Sequence, residues 1–198
     1  MKKNALWIVL GIILIIGFAL YGAFKSNYNQ MVQLSEQVKN QWANVESQYQ
    51  RRADLIPNLV NTVKGYATHE QETLEGVLEA RAKATQMQIN FDNMDEETLK
   101  RFNQAQGEIS SALNRLMAVT ENYPNLKANE NFRDLQVQLE GTENRIATER
   151  RKFNDVVLNY NTFIQLFPRN IFASMFGFMQ KGYFQAEEGS EKAPVVAF

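Results

Sequence analysis

The sequence predicts an all-α protein: an N-terminal transmembrane helix followed by an elongated antiparallel helical bundle. Three observations carry this expectation. Residues 5–24 (ALWIVLGIILIIGFALYGAF) form a run of 20 without a charge. Beyond it, apolar residues recur at steps of three and four, the spacing of one helix face. No segment before the C-terminal tail alternates apolar and polar residues with period two, so no half-buried strand is expected.

At about 1.5 Å per residue the first run makes a helix ~30 Å long, the thickness of a bilayer's hydrocarbon core. It spans Ala5 to Phe24, with Trp7 and Tyr21 near its ends, where amphipathic rings settle at the membrane–water boundary. A secretory leader is the competing reading. Its apolar core is shorter, about 7–15 residues, and ends in a small-x-small site that Leu20-Tyr21-Gly22-Ala23 does not supply. A retained anchor is therefore expected. Lys2 and Lys3 precede the run, and Lys25 and then Lys39 follow it. This balance leans toward a cytoplasmic N-terminus and an extracytoplasmic body.

Four apolar stripes follow. The first runs through Met31, Leu34, Val38, Trp42, Val45 and Tyr49. The second comprises Ile56, Leu59, Val63, Tyr66, Val77, Ala80, Ala84 and Met87, and the third Leu99, Phe102, Ile109, Leu113 and Leu116. The fourth keeps coiled-coil a/d spacing over five heptads, from Phe132 through Leu139, Ile146, Phe153 and Tyr160 to Phe167. Asn93 with Glu96 resembles a capping box, Tyr123-Pro124 stops a helix, and Asn129 can cap the next. Pro168 ends the last long helix, because it lacks a donor and pushes Phe167 out of the α region. The junction Arg51–Pro57 stays open. Asp54 can cap a new helix there, which gives four long helices, the preferred count. The heptad phase through Tyr49, Arg52 and Ile56 instead allows one kinked first helix and three in all.

The segments RRADLIPNLVNTVKGYATHE (51–70), ENYPNLKANENFRDLQVQLEGTENRIATERRKFND (121–155) and YNTFIQLFP (160–168) are similar to the signature blocks of the bacterial LemA family. The resemblance extends from roughly Tyr28 to Phe184. It implies one N-terminal membrane helix followed by an antiparallel helical bundle, and it implies no particular activity.

Composition and motifs argue against several functions. The chain of 198 residues carries a net charge of −1, and residues 26–198 hold 18 basic and 22 acidic groups, a poor surface for phosphate backbones. Nucleic acid is not an expected partner. With no cysteine there are no thiolate ligands or nucleophiles. A di-iron carboxylate bundle needs paired Glu-x-x-His motifs. Here His69 is the single histidine and Tyr66 stands three residues before it. His69 beside Glu70 is a weak acid/base pair, since helix neighbours point about 100° apart. No phosphate loop, G-x-S-x-G or H-E-x-x-H occurs. No enzyme, cofactor or metal is expected.

Polar residues in phase with the stripes are a second set of candidates. Glu70, Thr142 and Glu149 occupy core-type positions, with Arg51, Arg52, Arg145, Arg150 and Arg151 as charge partners elsewhere in the sequence. A buried carboxylate must be paired or protonated. A polar layer that sets helix register is the favoured reading, and an interior proton or ligand site the alternative.

After Pro168, Phe172, Phe176, Phe178, Tyr183 and Phe184 crowd together and form a candidate interface, with the bundle, lipid or another subunit. The expected organisation is an anchor with basic flanks at 1–25, a bundle at 26–167, an aromatic amphipathic segment at 168–184, and a polar linker with an apolar tail at 185–198. The function that follows is a membrane-anchored scaffold acting by binding and homo-oligomerisation, without catalysis. Its partners are the lipid bilayer, further copies of itself and a second membrane protein. The alternative is an extracytoplasmic ligand-binding or sensor bundle that relays to a partner membrane protein.

Overall fold

A computed structural model describes the backbone of residues 2–185, and side chains at Trp7 and from Leu10 onward. The helical backbone includes Ala5, whose side chain lies outside the described residues, as does the expected apolar tail. The described residues contain helices and no strand. Helix α1 spans Lys2–Lys64, α2 Gln71–Gln86, α3 Glu96–Thr120, α4 Pro124–Lys127, α5 Glu130–Gln165 and α6 Arg169–Phe176. The chain divides into two packed units. One joins the residues up to Asn40 with Val156–Gln180, and the other joins Gln41–Asp155 with the chain from Lys181 onward.

Four long helices are present, but the break in the first stripe pair falls later than the Arg51–Pro57 junction. Helix α1 runs through Pro57 without interruption and ends at Lys64, where Gly65, a weak helix former, opens a short turn before α2. Pro57 has no N–H, so the carbonyl of Ala53 loses the donor it would have four residues on. The Nε–H of Arg81 on α2 donates to that carbonyl at 2.7 Å. The donor missing from α1 is thus supplied from a neighbouring helix, and α1 need not end. Ala53 is buried, so without Arg81 its oxygen would be shut away from water as well as from the helix.

The remaining boundaries follow local chemistry. The cap of α3 is Asp95 rather than the Asn93–Glu96 box, with Thr98 N–H donating to Asp95 Oδ1 at 2.8 Å. This bond holds the Asp95 carboxyl below its usual range. Asn129 caps α5 as its sequence suggests, accepting from Phe132 N–H at 3.0 Å. Helix α5 stops at Gln165, ahead of the cis Phe167–Pro168 bond.

In the larger unit, Ile56, Leu59, Val63, Val77, Ile109, Leu116 and Phe132 form one continuous apolar core. A second, aromatic group extends it: Trp42 meets Phe102 and Phe153 edge-on at 5.3 and 5.7 Å, and stacks on Phe184 at 6.0 Å. Phe184 reaches this place because Gly182 N–H donates to Met94 O at 3.0 Å. A Cβ on Gly182 would lie 2.8 Å from the backbone of Asp95 and Glu96, so this approach requires glycine. In the smaller unit, Met31, Val38, Val157, Tyr160 and Phe163 are buried. The Tyr160 hydroxyl donates to Met179 O at 2.9 Å, and burial pushes its pKa up to about 12.

The Pro57–Arg81 substitution of donors predicts a specific coupling. Arg81→Met orphans the Ala53 carbonyl and lowers stability by about 1–3 kcal/mol. In a Pro57→Ala background the helix supplies its own N–H, so the same change costs far less. Thermal or denaturant melts of the four proteins measure the coupling, and additive effects within about 0.5 kcal/mol contradict this account of Pro57.

Candidate functional site

The polar centre of the larger unit is Arg52. It lies in the heptad phase between Tyr49 and Ile56, so a continuous α1 turns it inward, and 2% of its surface is exposed. Its Nη1 donates to Ser110 Oγ at 3.0 Å and to Glu143 Oε1 at 2.6 Å. Its Nη2 donates to the side-chain and backbone oxygens of Gln106 at 2.6 and 3.1 Å. The guanidinium carbon stands 5.3 Å from the centre of the Tyr49 ring. Arginine suits this place because its planar fork delivers several donors at fixed angles. Burial pushes the Tyr49 hydroxyl pKa up, against the pull of Arg150 and Arg52.

Arg52 and Ala53 together touch every long helix. Arg52 reaches α3 through Gln106 and Ser110 and α5 through Glu143, while Ala53 receives α2 through Arg81. These bonds fix the register of four helices at one level. The layer is thus a tie between helices, with Gln106, Ser110 and Glu143 turned toward the guanidinium. Its Nε and the Oε1 of Gln48, one helical turn earlier, are buried without hydrogen-bond partners.

The three polar residues singled out from the sequence lie apart. Thr142 is buried, but its hydroxyl donates to Gln138 O of its own helix at 2.7 Å. Glu149 is only partly covered and pairs with Lys152 at 2.8 Å and Gln41 Nε2 at 2.7 Å, not with an arginine. These two donors hold its pKa below the usual carboxylate range. Glu70 is not on α2 but in the turn before it, where Tyr123 donates to Glu70 Oε1 at 3.0 Å. His69 is exposed in the same turn. Among the described residues no group of three or more His, Asp or Glu is placed to hold a metal ion. Arg52 was legible as an in-phase residue, yet its partners Gln106 and Ser110 carry no signal of their own in the sequence.

The aromatic candidates serve both units. Phe172 and Phe176 meet Phe24 edge-on, both at 5.3 Å, and Tyr28 meets Phe176 and Phe178 at 5.1 and 5.8 Å. Phe184 belongs to the Trp42 cluster of the larger unit and lies under Arg150, whose guanidinium is 4.7 Å from the ring centre. Tyr183 is exposed. Just before them, Lys181 donates to the Phe91 and Asp92 carbonyls at 2.6 and 3.2 Å. Burial pulls its pKa down against the opposing Asp92 charge. Trp7 and Tyr21 are exposed along α1, and Phe24 is half-buried.

Two carboxylates on α5 are expected to differ sharply. Glu143→Gln strips the charge facing the buried Arg52 and destabilises by about 2 kcal/mol, less than for a fully enclosed pair because the Glu143 side chain is 44% exposed. Glu149→Gln, beside the exposed Lys152, costs at most ~1 kcal/mol near neutral pH. Because folding lowers the Glu149 pKa, its contribution is present above the ordinary carboxylate range and disappears as pH falls through the lowered value. Melts of both variants from neutral to acid pH provide the check, and equal losses contradict the assignment.

The model of the LemA family matches residues 41–198. The chain is 28% identical over 186 residues to Magnetosome protein MamQ 2 of Paramagnetospirillum magneticum, covering 85% of this chain and 68% of that protein. It is 26% identical to Magnetosome protein MamQ of Magnetospirillum gryphiswaldense, with the same coverage. With Protein LemA of Metamycoplasma hominis it shares 24% identity over 180 residues, 91% of this chain and 78% of that one. On the extent of the family match, the chain is a member of the LemA family.

Proposed function

We propose that this protein is a membrane-anchored helical scaffold that acts by binding and self-association at the membrane surface, with no catalytic step. The observation that carries the reading is the continuity of α1. One unbroken helix contains the apolar run, long and apolar enough to cross a membrane, and the Arg52–Ala53 layer that ties the other helices together. No residue in the most apolar stretch of that helix is buried within the chain, as a lipid-facing segment requires. Both Nη groups of Arg52 and the Ala53 carbonyl are bonded to other helices, which favours a structural role. The relatives named as magnetosome proteins carry a cellular structure in their names rather than a reaction.

The same continuity favours a second reading, a bundle that relays a bound ligand's effect along α1 to a partner membrane protein. The scaffold reading is preferred because the bonds of Arg52 and Ala53 run between helices of the bundle itself. The orientation proposed puts Lys2 and Lys3 in the cytoplasm and the bundle outside, in the inner membrane. The chain lacks cysteine, so a single cysteine at the exposed Ser47 is a clean probe. It is expected to react with an impermeant reagent on intact spheroplasts, and reaction only after lysis reverses the orientation.

Self-association needs surface that the chain has not used internally. On α5, Phe132, Leu139, Ile146, Phe153, Tyr160 and Phe163 are buried within the chain itself, and Leu135 and Val156 are half-buried. The exposed apolar side chains that a second copy can reach include those of the membrane run, Leu78, Val137, Leu158 and Leu166, and those of Phe167, Ile171, Met175 and Met179. Light scattering of the detergent-solubilised protein is expected to return multiples of 22.8 kDa. A single-chain mass at every concentration removes self-association from the proposal.

A further inference from the structure

Helix α6 has three distinct faces. Phe172, Ala173 and Phe176 turn inward: Ala173 is buried, and the two rings clasp Phe24. Asn170 and Ser174 form a polar, exposed face. Between these lies an apolar face that no described residue covers, carrying Ile171 and Met175 at 53 and 64% exposure, and Phe167 and Met179, just before and just after the helix, are 80 and 60% exposed. The helix ends at Gly177, which takes φ of 75°, and Phe178 N–H donates back to Ala173 O at 2.9 Å. This closure turns Phe178 onto Tyr28.

We propose that α6 lies in the headgroup layer of the bilayer, with Phe167, Ile171, Met175 and Met179 directed toward the acyl chains. The proposal rests on the reading that α1 crosses the membrane. Phe24 is the last residue of the uncharged run, so the two ring contacts to it place α6 at the depth where the run ends. Its apolar face, uncovered among the described residues, then lies at the depth where the lipid-facing run of α1 ends.

The charges of this unit fit the same occupant. The residues up to Asn40 and from Val156 to Gln180 contain Lys2, Lys3, Lys25, Lys39 and Arg169, against Glu36 as their one carboxylate. Arg169 is held in place, its Nε donating to Asn27 Oδ1 at 3.1 Å and its guanidinium 4.0 Å from the Phe163 ring centre. With Lys25 beside Phe24, it gives this level a cationic rim suited to anionic headgroups.

The test uses the full-length chain in vesicles containing phosphatidylglycerol. Single cysteines replace Met175, Ser174 or Leu14, and each carries an environment-sensitive fluorophore. Lipids bearing a nitroxide at a shallow or a deep position and iodide in the water report depth. The label at Met175 is expected to shift to the blue, respond to the shallow nitroxide and lose iodide quenching. The label at Ser174, one residue away, stays open to iodide, and the label at Leu14 responds to the deep nitroxide. If Leu14 is deep while Met175 and Ser174 are equally open to iodide, α6 is not in the membrane and the proposal falls with the anchor intact. If Leu14 is not reached by lipid quenchers, the anchor reading fails and the proposal fails with it. If Met175 is shielded only at high protein-to-lipid ratio and without lipid quenching, a second copy covers the face, which also overturns it.

Discussion

The larger unit depends on two consecutive residues of α1. At Arg52 a guanidinium is taken out of water, at a cost of several kcal/mol unless its donors are met. At Ala53 a carbonyl has lost its helical donor to Pro57. Both Nη groups of Arg52 are met, by Gln106 and Ser110 from α3 and Glu143 from α5, while its Nε is not, and the Ala53 carbonyl is met by Arg81 from α2. Apolar contacts hold these helices together but tolerate sliding by a turn, because one leucine-sized side chain substitutes for another. Directional bonds to buried groups do not, since a shift leaves a donor or acceptor unpaired. The layer therefore sets which turn of each helix faces which.

Aromatic residues do a different task on each side of Lys181. Before it, Phe172, Phe176 and Phe178 gather around Phe24 and Tyr28, in a unit almost free of carboxylates. After it, Phe184 completes the cluster of Trp42, Phe102 and Phe153. What separates the two is a short run held by backbone bonds, with Lys181 and Gly182 anchored on the segment that leads into α3. A segment that reads as one aromatic patch is thus two, divided by a glycine that alone permits the close approach.

The heptads of α5 illustrate how a repeat is shared between possible partners. Their residues line the interior of this chain, where the other long helices supply the holes into which a second copy's side chains would otherwise fit. Surface left for partners lies elsewhere, on the membrane run and on α6. Membership of the LemA family covers the bundle from residue 41, while the run that precedes it owes its reading to hydropathy and length.

Periodicity and the length of the apolar run were enough to establish an all-α chain and an N-terminal helix able to span a bilayer, because helix spacing is a local property of sequence, but they left the number of long helices open between three and four. The cap at Asn129 and the stop before Pro168 were legible for the same reason. The course of α1 through Pro57 was not, because the donor that permits it belongs to Arg81, 28 residues away. Nor was the polar centre: Arg52 stood in phase, but Glu149 and Thr142 did so equally. Only packing decides which in-phase polar residue meets partners across the core, which bonds its own helix and which stays at the rim. Tertiary structure likewise divided the aromatic segment and turned Phe167, Ile171, Met175 and Met179 outward, since the side on which a helix is covered depends on what folds against it.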